Sequence, residues 1–298
     1  MKKYLILIII FFLTGCSSYI ELNDLAIIDT ISIQKEDNNY KLTISYIEKI
    51  EENNLNPQTK IIEAKDTNIN QLFNDLSLKI NKKIYLSHLN LLLIDDSIKN
   101  QEFKELINYF LNNQDTREDF LIAYSNNIND IVHNNKFLEI NDLVKINHQE
   151  TSKVIYTTMY DVIKNYYENK NIYLTNLTYQ DNNISPIGII TFMNNNYQEL
   201  TEDQSIFINY LLDNIDTFNY TYKCQDNNYL NLKILKGKKQ ELNNKLLITN
   251  EINIISNDCH LNNQEINKIF NKYLEDNKIY TNKILNINNT IRGNYENK

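Results

Sequence analysis

The apolar residues of this 298-residue chain change several times between two spacings, and this change constrains the fold more than any other feature. Leu25–Ile33 and Tyr40–Ile47 are rich in β-branched residues and partly alternate, which predicts two strands, and the turn-rich segment 35–39 between them predicts a hairpin. From Asp66 the spacing becomes that of an amphipathic helix, with Asp66 or Thr67 as its N-cap. The apolar face of that helix consists of Ile69, Leu72, Phe73, Leu76 and Ile80.

The same two patterns recur to the end of the chain, although residues 133–149 give only weak signals. Further strands are expected at His88–Ile94, Asp119–Tyr124, Ile172–Tyr179, Ile187–Met193, Phe218–Cys224, Tyr229–Lys236 and Leu246–Ile255. Helices are expected around Phe103–Phe110, over Val154–Tyr167, after a capping box at Thr201–Gln204, and over Glu265–Ile284. The predicted fold class is α+β, with mixed helices and mostly antiparallel sheets in two or more small domains. Because only two prolines are present to mark linkers, the changes of spacing place a boundary between residues 184 and 185.

Counting excludes several kinds of site. The four glycines are scattered, so the chain has no phosphate-binding loop and no dinucleotide fingerprint. The three cysteines stand far from one another, and so do the four histidines, so neither the Cys-x-x-Cys nor the His-Glu-x-x-His spacing of a local metal site is present. A net charge of −8 with dispersed lysines argues against a nucleic-acid partner. No serine-hydrolase elbow is present, which makes an exported hydrolase the least favoured function.

The first sixteen residues indicate export and lipidation. Lys2 and Lys3 precede an unbroken apolar run, Tyr4–Leu13, which is too short to span a membrane but typical of a signal peptide. The run ends in the four-residue lipobox 13–16, so residues 1–15 are expected to be removed and Cys16 to carry a diacylglycerol. Acyl chains would then hold the mature protein on the outer face of the cell membrane. The alternative is an ordinary signal peptide in which this cysteine has no role.

Two other features remain open from the sequence. Cys224 and Cys259 lie on the exported side, where they could form a disulfide or remain as two buried thiols. A nucleophilic Cys259 assisted by the adjacent His260 is disfavoured, because sequence neighbours rarely form such a dyad. The carboxylates Asp95 and Asp96 follow a predicted strand, where a solvated turn or helix cap is favoured over acid–base chemistry.

Three blocks of this sequence occur in an order that resembles a known family. The blocks are Glu21–Ile27 with Tyr40–Ile44, Ser87–Ile94 with Tyr109–Asn113, and Ile187–Phe192 with Leu200–Ser205. Together with the lipobox they resemble the Ger(x)C family, the lipoprotein C subunits of spore nutrient germinant receptors. Two departures are Ser17–Ser18 where the family usually has Trp-Asp, and an end at Lys298, soon after the predicted closing helix. Either a terminal strand is absent, or the chain is a divergent, shortened member with altered partners.

The resemblance implies a non-enzymatic subunit on the outer face of the spore inner membrane. Its implied partners are a multi-spanning A subunit and a transporter-like B subunit, to which nutrient binding is mainly attributed. No cofactor is expected apart from the covalent lipid on Cys16. The segment nearest that lipid is the first expected partner interface, and it consists of Glu21, Leu22, Asn23, Asp24 and Leu25. The alternative is a stand-alone extracytoplasmic solute-binding lipoprotein, against which the lack of Gly-rich βα turns argues.

Overall fold

A computed structural model describes residues 21, 24–48, 58–133, 139–224, 227–242, 245–277 and 284–292 of the chain. These residues form thirteen strands and seven helices. The strands are β1 (Leu25–Glu36), β2 (Asn39–Glu48), β3 (Gln58–Asp66), β4 (Lys83–Tyr85), β5 (Leu91–Ile94), β6 (Leu121–Tyr124), β7 (Ile172–Gln180), β8 (Asn183–Met193), β9 (Asn196–Glu199), β10 (Thr217–Lys223), β11 (Tyr229–Leu242), β12 (Lys245–Asn257) and β13 (Ile284–Arg292). The helices are α1 (Ile69–Ile80), α2 (Asn100–Asn112), α3 (Ile128–His133), α4 (Ile140–Thr151), α5 (Met159–Tyr167), α6 (Glu202–Leu211) and α7 (Asn263–Asp276).

The first nine strands form one sheet, in the order β3-β2-β1-β5-β6-β7-β8-β9 with β4 beside β1. Its centre is parallel, because β1, β5, β6 and β7 run in the same direction, while antiparallel strands complete both edges. The predicted hairpin is confirmed as β1 and β2, whose turn holds Asp37 at a φ of 55°. Six of the eleven strand pairs among the described residues are antiparallel, which confirms the predicted α+β class.

Helices cover both faces of this sheet, because the short central strands carry apolar side chains on both faces. Leu92 and Ile94 of β5 pack into a core formed with α1, α2 and α5, whereas Leu91 and Leu93 pack into a second core formed with α3 and α4. A strand that is buried on both faces needs a continuous apolar run rather than alternation. The expected strand His88–Ile94 is therefore confirmed only in its last four residues, since His88 lies in the preceding turn.

The remaining four strands form a second sheet, in the order β10-β11-β12-β13. Helices α6 and α7 supply Phe207, Tyr210, Phe270 and Leu274 to its core. The capping box that predicted α6 is confirmed, because Thr201 Oγ1 accepts from the backbone nitrogen of Gln204. The division of the chain into two units stays a prediction, and its boundary between residues 184 and 185 lies within β8.

Several predicted helix boundaries are wrong. The N-cap of α1 is Asn68, whose side chain accepts from the nitrogens of Asn70 and Gln71, rather than Asp66 or Thr67. Helix α5 begins only at Met159, because the β-branched residues before it are extended, with Ile155 and Thr157 bonded to β7.

The C-terminal prediction also needs correction. Helix α7 ends at Asp276 with Asn277 as its C-cap, so the predicted helix over Glu265–Ile284 is too long. Ile284 instead begins β13, which pairs in parallel with β12. A strand therefore follows the helix, and the alternative that a terminal strand is absent is wrong. The sequence also missed α3, α4, β3, β4 and β9, which lie in weakly patterned or very short segments.

Candidate partner-binding end of the first sheet

The expected interface lies where β1 begins. Glu21 and Asp24 are exposed, and the backbone nitrogen of Asp24 donates to the oxygen of Glu21 at 2.9 Å. Leu25 is half-buried as the first residue of β1. Cys16, Leu22 and Asn23, which were predicted with them, lie outside the described residues.

Strand β4 lies beside this end of β1 and was not anticipated. Leu25 pairs with Lys83 and Ile27 with Tyr85 in parallel register. Lys83 Nζ lies 2.7 Å from Asp115 Oδ2, and both side chains remain largely accessible to solvent. An exposed ion pair contributes only about 0–1 kcal/mol to stability. Lys83 and Asp115 could therefore separate and each pair with a charged group of another protein at little cost in free energy. Three residues of strand give too short a pattern for sequence analysis to detect.

A buried polar cluster holds this end of the sheet in place. Asp29 is 4% exposed and sits at a bulge in β1, where the pairing with β2 shifts. Asn90 Nδ2 donates to Asp29 Oδ1 at 2.6 Å, and the backbone nitrogen of Asn90 donates to the oxygen of Asp29 at 2.8 Å. The oxygen of Asn90 in turn accepts from Leu121 of β6 and from the side chain of Asn141 on α4. The exposed residues around Leu25 therefore lie at the end of a strand that a buried, hydrogen-bonded cluster joins to β6 and α4.

The other chemical candidates from the sequence have structural partners. Asp95 accepts from the backbone nitrogen of Ser97 at 3.0 Å and from Gln34 Nε2 at 2.7 Å, as expected for a carboxylate that caps a turn. Cys224 and Cys259 form a disulfide, so neither of them is a free nucleophile. Among the described residues, no three potential metal-ligating side chains come together. No helix in the described part of the chain is long and apolar enough to cross a membrane.

Comparison with known proteins identifies the family. A family described as the spore germination protein N-terminal domain matches residues 18–179, which is more than half of the chain and includes the whole end of the sheet described above. The chain belongs to this family. The resemblance to the Ger(x)C family drawn from the three sequence blocks is thereby confirmed.

Individual relatives in this family are distant. Spore germination protein KC of Bacillus subtilis (strain 168) is 25% identical over 187 residues, which are 54% of this chain and 44% of that protein. The match therefore spans less than half the length of this relative. The crystal structure of the GerBC protein superposes with a TM-score of 0.46 at 13% identity, over 89% of this chain and 96% of that one.

Proposed function

We propose that this Ger(x)C protein is a non-catalytic, lipid-anchored subunit of a spore nutrient germinant receptor. A diacylglycerol on Cys16 would hold it on the outer face of the membrane, where it would assemble with A-type and B-type membrane subunits. The observation that carries the proposal is the family match from residue 18 onward, directly after a lipobox that ends at Cys16.

The short stretch of chain between Cys16 and β1 would keep the first sheet close to the membrane. Leu25 begins the first sheet nine positions after Cys16, and an extended chain spans at most about 3.6 Å per residue. The end of the sheet that carries Leu25 and Lys83 would therefore lie within about 30 Å of the lipid. At that distance, extracellular loops of membrane-spanning subunits could reach Glu21, Asp24, Lys83 and Asp115.

The anchor can be tested by replacing Cys16. The Cys16→Ala variant is expected to move from the membrane fraction to the soluble exported fraction, and mass spectrometry of the wild-type N-terminal peptide should show the mass of a diacylglycerol on Cys16. Cys224→Ser and Cys259→Ser together provide a control that replaces the other two cysteines without touching the lipobox. Membrane retention of Cys16→Ala, with an unmodified wild-type peptide, would refute the lipid anchor.

Assembly can be tested by purifying the tagged protein from sporulating cells in mild detergent. We expect two multi-spanning proteins to copurify, and Lys83→Glu to reduce their recovery. Lys170→Glu is the matched control, because Lys170 forms a similar exposed ion pair, with Glu168, away from β1. Copurification of an ATP-driven permease instead would favour the stand-alone solute-binding function, and equal loss in both variants would exclude a specific role for Lys83.

A further inference from the structure

A cavity of about 400 Å³ opens between the edge strand β10 and the C-terminal end of α7. Tyr220 and Tyr222 of β10 both line it, because alternate residues of a strand point to the same face. Its other principal lining residues are Asp203, Lys272, Tyr273 and Asp276. The cavity lies on the second sheet, far along the chain from the proposed lipid anchor, and neither the family match nor the proposed function assigns it a role.

The tyrosine rings form a small aromatic surface within this cavity. The ring centroids of Tyr220 and Tyr273 lie 4.3 Å apart, and the Tyr273 hydroxyl donates to the backbone oxygen of Asp203 at 3.5 Å, which holds that ring against α6. Tyr222 is 37% exposed at the rim. The face of an aromatic ring carries partial negative charge, so a cation within about 6 Å of a centroid is attracted to it.

The charges around the rings add to this attraction. Basic residues usually occupy the last turn of a helix, because the helix dipole is negative there, but the last turn of α7 carries Glu275 and Asp276 and no basic residue. Asp203 brings a second carboxylate to the cavity, and among the described lining residues only Lys272 carries an ammonium. Burial, together with the charges of Asp203, Tyr222 and Asp276, raises the pKa of Tyr220 to about 12. The cavity is therefore aromatic and short of positive charge.

We propose that this cavity binds an alkylammonium or guanidinium group. Such a cation would lie against the rings of Tyr220 and Tyr273 and between the carboxylates of Asp203 and Asp276. An uncharged ligand would gain no attraction from the two carboxylates or from the negative end of α7. The group could belong to a free small molecule, or to a lysine or arginine in an extended segment that runs along β10, which is an edge strand among the described residues.

The proposal can be tested by titrating the full chain in nonionic detergent with tetramethylammonium and with Nα-acetyl-arginine amide. Tyrosine emission and calorimetry can follow binding, because the chain has no tryptophan. Low ionic strength is needed, since salt screens exposed charges. We expect saturable binding of both cations and none of tert-butanol, the uncharged analogue of tetramethylammonium.

Variants locate the binding. Asp276→Asn and Asp203→Asn change exposed carboxylates and are each expected to weaken binding, and Tyr220→Leu is expected to weaken it roughly fivefold or more. Asp181→Asn, in the exposed turn between β7 and β8, is the matched control and should leave binding unchanged. Circular dichroism checks that Tyr220→Leu is folded, and the two aspartate variants test the proposal if it is not.

A five-residue extended peptide with a central arginine distinguishes the two sources of the cation. Binding of the peptide alone, lost in the same variants, would support the proposal and assign the cation to a protein segment. Absence of saturable binding by every probe, or binding that the three variants leave unchanged, would overturn it.

Discussion

The side-chain amide nitrogen of Asn209 donates to the backbone oxygen of Val154 at 2.9 Å. The same nitrogen donates to the oxygen of Ser152 at 2.8 Å, and Asn209 is fully buried. Helix α6 thus bonds to the segment that precedes α5, while it contributes Ile208 to a core on the first sheet and Phe207 to the core of the second. Helix α6 therefore packs against both sheets, and the Asn209 side chain bonds it to the segment before α5.

Replacing Asn209 should weaken this connection. Asn209→Ala removes the donor to the half-buried Ser152 oxygen and one of the two side-chain partners of the buried Val154 oxygen, which also lies 2.9 Å from His148 Nδ1. We expect the free energy of unfolding to fall by roughly 1–2 kcal/mol. Urea denaturation followed by circular dichroism measures the loss. Asn219→Ala, at an exposed position on β10, is the control and should change stability by less than about 0.5 kcal/mol. Equal losses in the two variants would contradict the role assigned to Asn209.

The disulfide between Cys224 and Cys259 should stabilise the second sheet. It joins the end of β10 to the turn after β12, across a sequence separation of 35 residues, with the two Cα atoms 6.1 Å apart. Closing a loop of that length in the unfolded chain corresponds to roughly 4 kcal/mol. The double variant Cys224→Ser/Cys259→Ser should therefore unfold at a clearly lower urea concentration than the wild type. Addition of a reductant should reproduce the shift in the wild type and have no effect on the variant.

The ion pair between Lys35 and Glu102 should make stability depend on pH. Lys35 Nζ lies 2.5 Å from Glu102 Oε1, and the backbone nitrogen of Lys99 donates to the other carboxylate oxygen. Burial raises the pKa of Glu102, but the bond from Lys35 and the backbone bonds outweigh it, so the net pKa is lowered. A carboxylate whose pKa is lower in the folded state stabilises the protein above its unfolded pKa of about 4.3, and this stabilisation disappears as the pH falls through the folded pKa.

Glu102→Gln tests this dependence. At pH 7 the variant is expected to be about 1–2 kcal/mol less stable than the wild type, and the difference should shrink as the pH falls below 4. Denaturation curves collected between pH 7 and pH 3 measure it. Glu168→Gln removes the exposed partner of Lys170 and should show almost no difference at any pH. A difference for Glu102→Gln that stays constant over this range would refute the ionic contribution.

The accuracy of sequence analysis here followed the length and regularity of each pattern. Five apolar residues on one helical face predicted α1, and four of them are buried. Helix α4 was missed because it buries only Ile140 and Val144, which give too few repeats to reveal a period. Strand β4 has only three residues, and it forms by pairing with β1, a distant contact that no local sequence pattern can predict.

The residues of the candidate site also fall into those that the sequence could predict and those that it could not. Glu21 to Leu25 could be proposed from the sequence because closeness to Cys16 along the chain limits their distance from the lipid. Lys83 and Asp115 could not, since each reaches this surface through contacts between distant segments. The cavity beside β10 likewise depends on packing, which brings Asp203, Tyr220 and Tyr273 together across more than fifty residues of sequence.

Two glycines in strands provide a matched test of backbone packing in the two sheets. Gly237 lies at a bulge in β11, where a Cβ atom would stand 2.6 Å from Thr249 Oγ1 and 2.8 Å from the Thr249 backbone oxygen. That hydroxyl also accepts from the backbone nitrogen of Lys238 at 2.7 Å, so it cannot move without losing a hydrogen bond. Gly188 in β8 has no atom within 4 Å of the same position.

Gly237→Ala is therefore expected to destabilise the protein by about 1–3 kcal/mol, whereas Gly188→Ala should be neutral or slightly stabilising. Thermal unfolding of the two variants beside the wild type measures both effects. The combination Gly237→Ala/Thr249→Ala removes the side-chain clash but not the contact with the Thr249 backbone oxygen, so it should recover only part of the loss. If Gly237→Ala were as stable as Gly188→Ala, β11 and β12 could not lie as close together at this bulge as the structure places them.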